Sequence, residues 1–168
     1  MIITPSRQRR QRTAWILNTA LARIRRHAEC QSICRMAVAH YDAISGLVSA
    51  MAHAGEGDSL LDTYQQPLAA MPGLVLLAAG PGERIIHDIP RFAIDRAPHH
   101  SALRLAGFRS SLTMSIPGAV FGADEVAGFL FVNSKAEGAF TETALQRLSP
   151  LLGELTGHLG RELTRSAL

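Results

Sequence analysis

The sequence has almost no lysine: Lys135 stands alone against sixteen arginines, a bias that reads as high-GC bacterial coding more than as mechanism. Cysteine is nearly as scarce. Cys30 and Cys34, four residues apart, make no disulfide framework and fit a reducing cytoplasm. Long apolar runs are missing too, the longest being the six residues Leu74–Ala79, against the ~20 that a membrane helix needs. Near the start, Asn18 and Thr19 interrupt the short stretch Ala14–Leu17, and Arg23, Arg25 and Arg26 come soon after, so a secretory signal is not expected. The Arg-rich, acid-free beginning also fits an organellar transit peptide. No G-x-S-x-G, H-E-x-x-H or Walker loop occurs, and no Gly-Lys succeeds the turn Gly80-Pro81-Gly82. An enzyme is therefore not expected.

What is present is enough for one folded domain. The 168 residues are 47% apolar and 18% charged, which excludes a disordered chain or a coiled-coil rod and allows a core without staples. The net charge of +3 hides an asymmetry. Residues 1–26 carry seven arginines and no acid, whereas the other 142 carry ten Lys/Arg against fourteen Asp/Glu, a net −4. The basic start interleaves with Gln and one Trp, not with base-stacking aromatics, so nucleic acid is not the expected partner and a solvated helix end is the commoner case.

Periodicity predicts a basic disordered start over 1–13 and a single domain over 14–168. Thr13 to Tyr41 reads as one long helix, with apolar residues at Leu17, Leu21, Ile24, Ala28, Cys34 and Val38. Ser45–His53 reads as a strand, 58–71 as a short helix and Gly73–Ala79 as a buried strand. Arg84–Asp88 is a further short strand, and a short helix is placed near Ser101–Leu105. Ser110–Ile116 alternates and pairs as a hairpin with Val126–Asn133. Thr141 opens a last helix with Leu145, Leu148, Leu152, Leu155 and Leu159 at spacings of 3, 4, 3 and 4, and Pro150 kinks it. That stripe either seams two helices side by side in a homodimer or covers the chain's own sheet. The expected class is α+β: a central antiparallel sheet of about five or six strands flanked by long N- and C-terminal helices.

The segments Gly107–Pro117 (GFRSSLTMSIP), Ala127–Ser134 (AGFLFVNS) and Gly138–Thr141 (GAFT), preceded by Glu83–Pro90 (ERIIHDIP), occur in an order and spacing that resembles the GAF domain. The resemblance covers roughly residues 20–160. It implies a small-molecule-sensing regulatory domain with its ligand between the sheet and the Pro90–Gly107 connection. Three departures narrow it. The stretch Glu56–Pro72 is longer than usual, and the Asn-Lys-Phe-Asp signature of cyclic-nucleotide-binding relatives is not reproduced at Asn133-Ser134-Lys135. No cysteine lies in the 80–107 region to attach a bilin as in phytochrome-like relatives, and none lies after residue 34 to serve the pocket loops as in free-methionine-sulfoxide reductases.

The resemblance places the pocket lining at Phe92, His99, His100, Leu103, Phe108, Arg109, Ser111, Met114 and Phe129. His87, His99 and His100 border that region and suit a haem iron or an anion, or else a solvated loop. Arg109 suits a carboxylate or phosphate, or a salt bridge to Asp88 or Asp95. His27, Cys30 and Cys34 would share one helical face, as weak metal ligands or as core packing. The expected function is a non-catalytic cytoplasmic sensor, dimeric through its terminal helices, that relays an unidentified small molecule to an output domain or partner. A structural dimerisation module without ligand, or a haem or redox sensor, is the alternative.

Overall fold

The structure, a computed structural model, describes residues 5–57, 65–92, 98–118 and 125–165, with the side chains of residues 98–101 outside that description. Helix α1 (Arg7–Ile24) leads into β1 (Ile33–Asp42), β2 (Leu47–Gly55) and β3 (Gln65–Pro67). Then come α2 (Pro72–Ala78), β4 (Glu83–Ile86), α3 (Ile89–Phe92) and α4 (Pro98–Leu105). Strands β5 (Ser110–Pro117) and β6 (Val126–Ser134) and helix α5 (Glu142–Thr164) complete the chain. The six strands form one sheet in the order β3-β2-β1-β6-β5-β4, with every neighbouring pair antiparallel.

Helices α1 and α5 cover one face of the sheet. Leu17, Leu21 and Ile24 of α1 and Leu148, Leu152, Leu155, Leu159 and Leu163 of α5 are buried there. From the strands they meet Met36, Val38, Leu112, Ile116, Leu130 and Val132. Thr141 caps α5 by accepting from the Ala144 amide at 3.1 Å, and Phe140 beside it is buried. The leucine stripe thus covers the chain's own sheet, and α5 continues through Pro150. Gly128 is required at the centre: a Cβ there would lie 2.2 Å from the Ala39 carbonyl oxygen, so β1 and β6 approach through its missing side chain.

Four expectations need correction. The expected helix over 13–41 is two elements: α1 begins earlier, at Arg7 with Ser6 as its cap, and ends at Ile24. Residues 7–13, expected to be disordered, are its first turns, with Arg9 and Thr13 buried. The second element is the central strand β1, paired on both edges and buried on both faces over most of its length. A strand covered on both sides loses the alternation that would reveal it.

Gly73–Ala79, expected as a strand, lies mostly in helix α2. Pro72 suits its first turn, Leu74 and Leu77 face the sheet, and Val75 and Leu76 are exposed. Of the helix expected over 58–71, residues 58–64 lie outside the described residues, Gln65–Pro67 pair as the edge strand β3, and Leu68–Ala70 make one 3₁₀ turn.

Candidate functional site

Period-two alternation sorts the strand residues onto two faces. On the face away from α1 and α5, β6 presents Phe129, Phe131 and Asn133, and β5 presents Ser111, Thr113 and Ser115. The Ser115 hydroxyl donates to the Leu77 carbonyl at 2.6 Å, which fixes this as the α2 side. Two apolar clusters sit here. Ala39, Val48, Phe129 and Phe131 pack with Met71, Leu74 and Leu77, whereas Cys34 and Ile86 pack with Ile89, Leu103 and Phe108 around α3 and α4.

Polar residues from neighbouring strands lie between these clusters. Asn133 stands opposite both Ser111 and Arg35, and Thr113 stands opposite both Arg84 and Phe131. Arg35 is 2% exposed and Asn133 wholly buried. Neither the amide nitrogen nor the amide oxygen of the Asn133 side chain has a hydrogen-bond partner among the described residues. Leaving such groups unpaired costs about 1–3 kcal/mol each.

Arg84 is held similarly. Its Nε is buried without a hydrogen-bond partner among the described residues, and burial pulls the pKa of the guanidinium down. Phe92 lies 6.0 Å from its Cζ by the ring centroid. A Cβ at Gly73 would fall 1.6 Å from Arg84 Nη1, so this glycine makes room for the guanidinium. Across the sheet, a Cβ at Gly57 would fall 2.5 Å from Arg35 Nε. Thus two glycines outside the sheet core give way to the two arginines of this face.

The expected pocket residues divide. Leu103 and Phe108 line the α3–α4 cluster, Phe129 lines the α2 cluster, and Ser111 lies in the polar row between them. Phe92 is 47% exposed, its ring against Arg84. His99 and His100 belong to α4, but their side chains lie outside the described residues. Met114 points the other way, into the core beneath α1 and α5. Ser111 and Met114 differ by an odd number of positions on one strand, and so they cannot share a face. Arg109 takes its salt-bridge alternative, with Nε 3.2 Å from Asp88 and Nη2 3.0 Å from Glu137. Hydrogen bonding to Asp88 and its charge, reinforced by Glu137, push the Arg109 pKa up.

The weak metal candidates separate as well. His27 precedes a 3₁₀ turn, Cys30 enters the main core and Cys34 the α3–α4 cluster. Burial pushes both thiols up in pKa, away from thiolate chemistry. No group of three metal-ligating side chains occurs among the described residues. His87, the remaining haem candidate, is exposed.

Sequence reasoning missed Arg35, Arg84, Asn133 and Thr113. Thr113 was within reach, because it shares the alternation of Ser111. Arg35 was hidden by the helical reading of β1, and Arg84 by the lack of any alternation in a four-residue strand.

No protein-family model and no curated protein matches the sequence. Solved structures do match by shape. The blue-light absorbing form of the Thermosynechococcus elongatus PixJ GAF domain superposes with a TM-score of 0.64 at 17% identity, covering 98% of this chain and 97% of that one. The chromophore-binding domain of the bacteriophytochrome RpBphP3 from R. palustris gives 0.60 at 18%, covering 96% of this chain, which spans 60% of that one. A type II free methionine-R-sulfoxide reductase from Thermoplasma acidophilum gives 0.61 at 10%, covering 94% and 95%. Identities this low speak for architecture alone. The strand order, the flanking terminal helices and these superpositions together show that the chain has the fold of a GAF domain.

Proposed function

We propose that the chain is a non-catalytic sensory module that binds a small molecule on the sheet face beneath α2, α3 and α4. The observation that carries this reading is Asn133, a fully buried amide with both polar ends unbonded among the described residues. A core built only for stability would fill such a position with an apolar side chain. The similar structures are, by description, a chromophore-binding domain from R. palustris and a blue-light absorbing form from T. elongatus, which supports a sensory role. The likeness to the reductase brings no chemistry with it, since both thiols here are buried and raised in pKa.

Strand β6 suits the relay. Phe129, Phe131 and Asn133 face the ligand side, while Leu130 and Val132 pack under α5. A ligand that repositions β6 would shift α5 against α1, and through them a homodimer partner and an output domain. The dimer seam would use the outer surface of the helix pair. There a groove of about 210 Å³ runs between α1 and α5, with Trp15, Thr19, Arg23, Leu151, Glu154 and His158 on its walls. Trp15 is 68% exposed beside it. No helix among the described residues is long and apolar enough to cross a membrane.

The test is a thermal-shift screen of nucleotides, carboxylates, nitrate, aromatic acids and haem. At least one compound should raise the melting temperature of the native protein, and the effect should be lost in Asn133→Leu. No stabiliser in the screen, together with a crystal structure showing the face filled by the chain's own side chains, would leave a structural module instead.

A further inference from the structure

We propose that this sheet face recognises a small molecule through an oxyanion, a carboxylate or phosphate group, with Arg84 as its counter-charge and Asn133, Ser111 and Thr113 as neutral hydrogen-bonding groups. The inference rests on the ligand-binding reading of this face and names the ligand's chemical class.

The first argument is charge. Arg84 and Arg35 both stand on this face, on either side of Thr113, Ser111 and Asn133 in the sheet register. Arg84 has no salt-bridge partner among the described residues, and its pKa is lowered by burial with no carboxylate to oppose that. Three acids of the loops around this face are engaged elsewhere: Asp88 pairs with Arg109 and Arg91, Glu137 with Arg109, and Glu56 with Lys135. A half-buried guanidinium without a counter-ion is costly, and an incoming oxyanion removes that cost. Its planar fork matches a carboxylate or phosphate with two parallel hydrogen bonds.

The second argument is the set of neutral groups. Ser111 and Thr113 are buried, and their hydroxyls stand on this face of β5. The Asn133 amide stands opposite Ser111, and neither its nitrogen nor its oxygen has a hydrogen-bond partner among the described residues. Hydroxyls and a primary amide can all turn a donor toward an anion. The apolar clusters on either side, Phe131 with Leu74 and Phe108 with Leu103, provide a low-dielectric wall for the rest of the molecule. A cation would meet two guanidinium groups here, and a wholly apolar ligand would leave the amide unsatisfied. An anionic group on an apolar body answers both demands.

The third argument is the space kept for Arg84. Gly73, in the first turn of α2, has no side chain where a Cβ would meet the guanidinium. The gap lets the guanidinium lie against the start of α2.

The test is isothermal titration calorimetry on the whole chain at constant ionic strength. The probes are sodium phosphate and sodium succinate, with succinamide as a neutral match and sodium chloride as the control. Phosphate or succinate should bind, whereas succinamide and chloride should not. Arg84→Met should weaken the binding by about tenfold or more, and Thr113→Val by about threefold. Arg104→Gln, at an exposed position of α4, should leave binding unchanged.

A second readout guards against loss of fold. With no ligand, Arg84→Met should melt at or above the native temperature, because it removes an uncompensated buried charge. A melting temperature clearly below native would show that Arg84 is structural and would overturn the proposal. Tight binding of succinamide, undiminished in Arg84→Met, would also overturn it while leaving the sensory reading intact. Failure of every probe to bind, together with no stabiliser in the broader thermal-shift screen, would remove both.

Discussion

At the residue scale, the positions that matter most are those where a side chain is missing or only part satisfied. Gly160 lets α5 approach β5: a Cβ there would lie 2.2 Å from the Pro117 carbonyl oxygen. His40 lies toward the end of β1, and its imidazole is held below its ordinary pKa of 6.5, first by burial and then by the charge of Arg9, with Asp42 opposing. The sign is direct. Between the lowered folded value and 6.5, the unfolded chain binds more protons than the folded one. The stability His40 contributes by staying neutral is therefore complete above pH 6.5 and is lost as pH falls through its folded value. Urea denaturation across that window should show a steeper acid-side decline for the native protein than for His40→Gln. Coincident pH profiles would remove His40 from the account.

At the scale of elements, the two terminal helices are clasped by one arginine. Arg9 of α1 donates through Nε and Nη2 to the Glu162 carbonyl of α5, at 3.0 and 2.6 Å, and through Nη2 to the Leu163 carbonyl. It thereby satisfies carbonyls in the last turn of a helix, where no further turn supplies amide donors. Arg12 adds an ion pair to the Glu162 carboxylate at 3.5 Å. Arg9→Met should lower unfolding stability by about 2 kcal/mol, on the scale of hydrogen bonds to a charged group. Hydrogen exchange should show the loss concentrated in the last turns of α5, and uniform loosening of the sheet would contradict this local role. The basic start is thus in part a structural device, a role that net charge does not reveal. Strand β5 was legible because one face is apolar and the other polar, β6 because of its run Phe129-Leu130-Phe131-Val132, and α5 because a cap and a leucine stripe mark it. β1 and α2 were not. The first is buried on both faces, and the second is a short apolar run that a strand would write in the same letters.

For the whole molecule, the leucine stripe of α5 is internal, so its loss should unfold the chain and not merely divide a dimer. Leu152→Glu places a carboxylate in the main core at a position 1% exposed. The cost should be on the order of 4 kcal/mol or more. Denaturant titration should show the lowered midpoint, and a fully stable Leu152→Glu monomer would place the stripe at an interface after all. The proposed dimer surface is the opposite side of the helix pair, around Trp15. The site was less legible than the fold for a related reason. Its residues come from β1, β4, β5 and β6, and no local pattern ties Arg35 to Asn133 or Arg84 to Thr113.

Sequence alone determined the class, the hairpin, the last helix and the kinship in shape, because each rests on contacts within a few residues or on an ordered set of motifs. Tertiary structure decided that residues 33–42 are the central strand, that Met114 and Ser111 part company, and that Arg109 is consumed by Asp88 and Glu137. It also decided that Arg84 is half-buried against α2 with no ion-pair partner among the described residues. Those outcomes depend on pairing across the sheet, and such pairing is a property of the assembled fold.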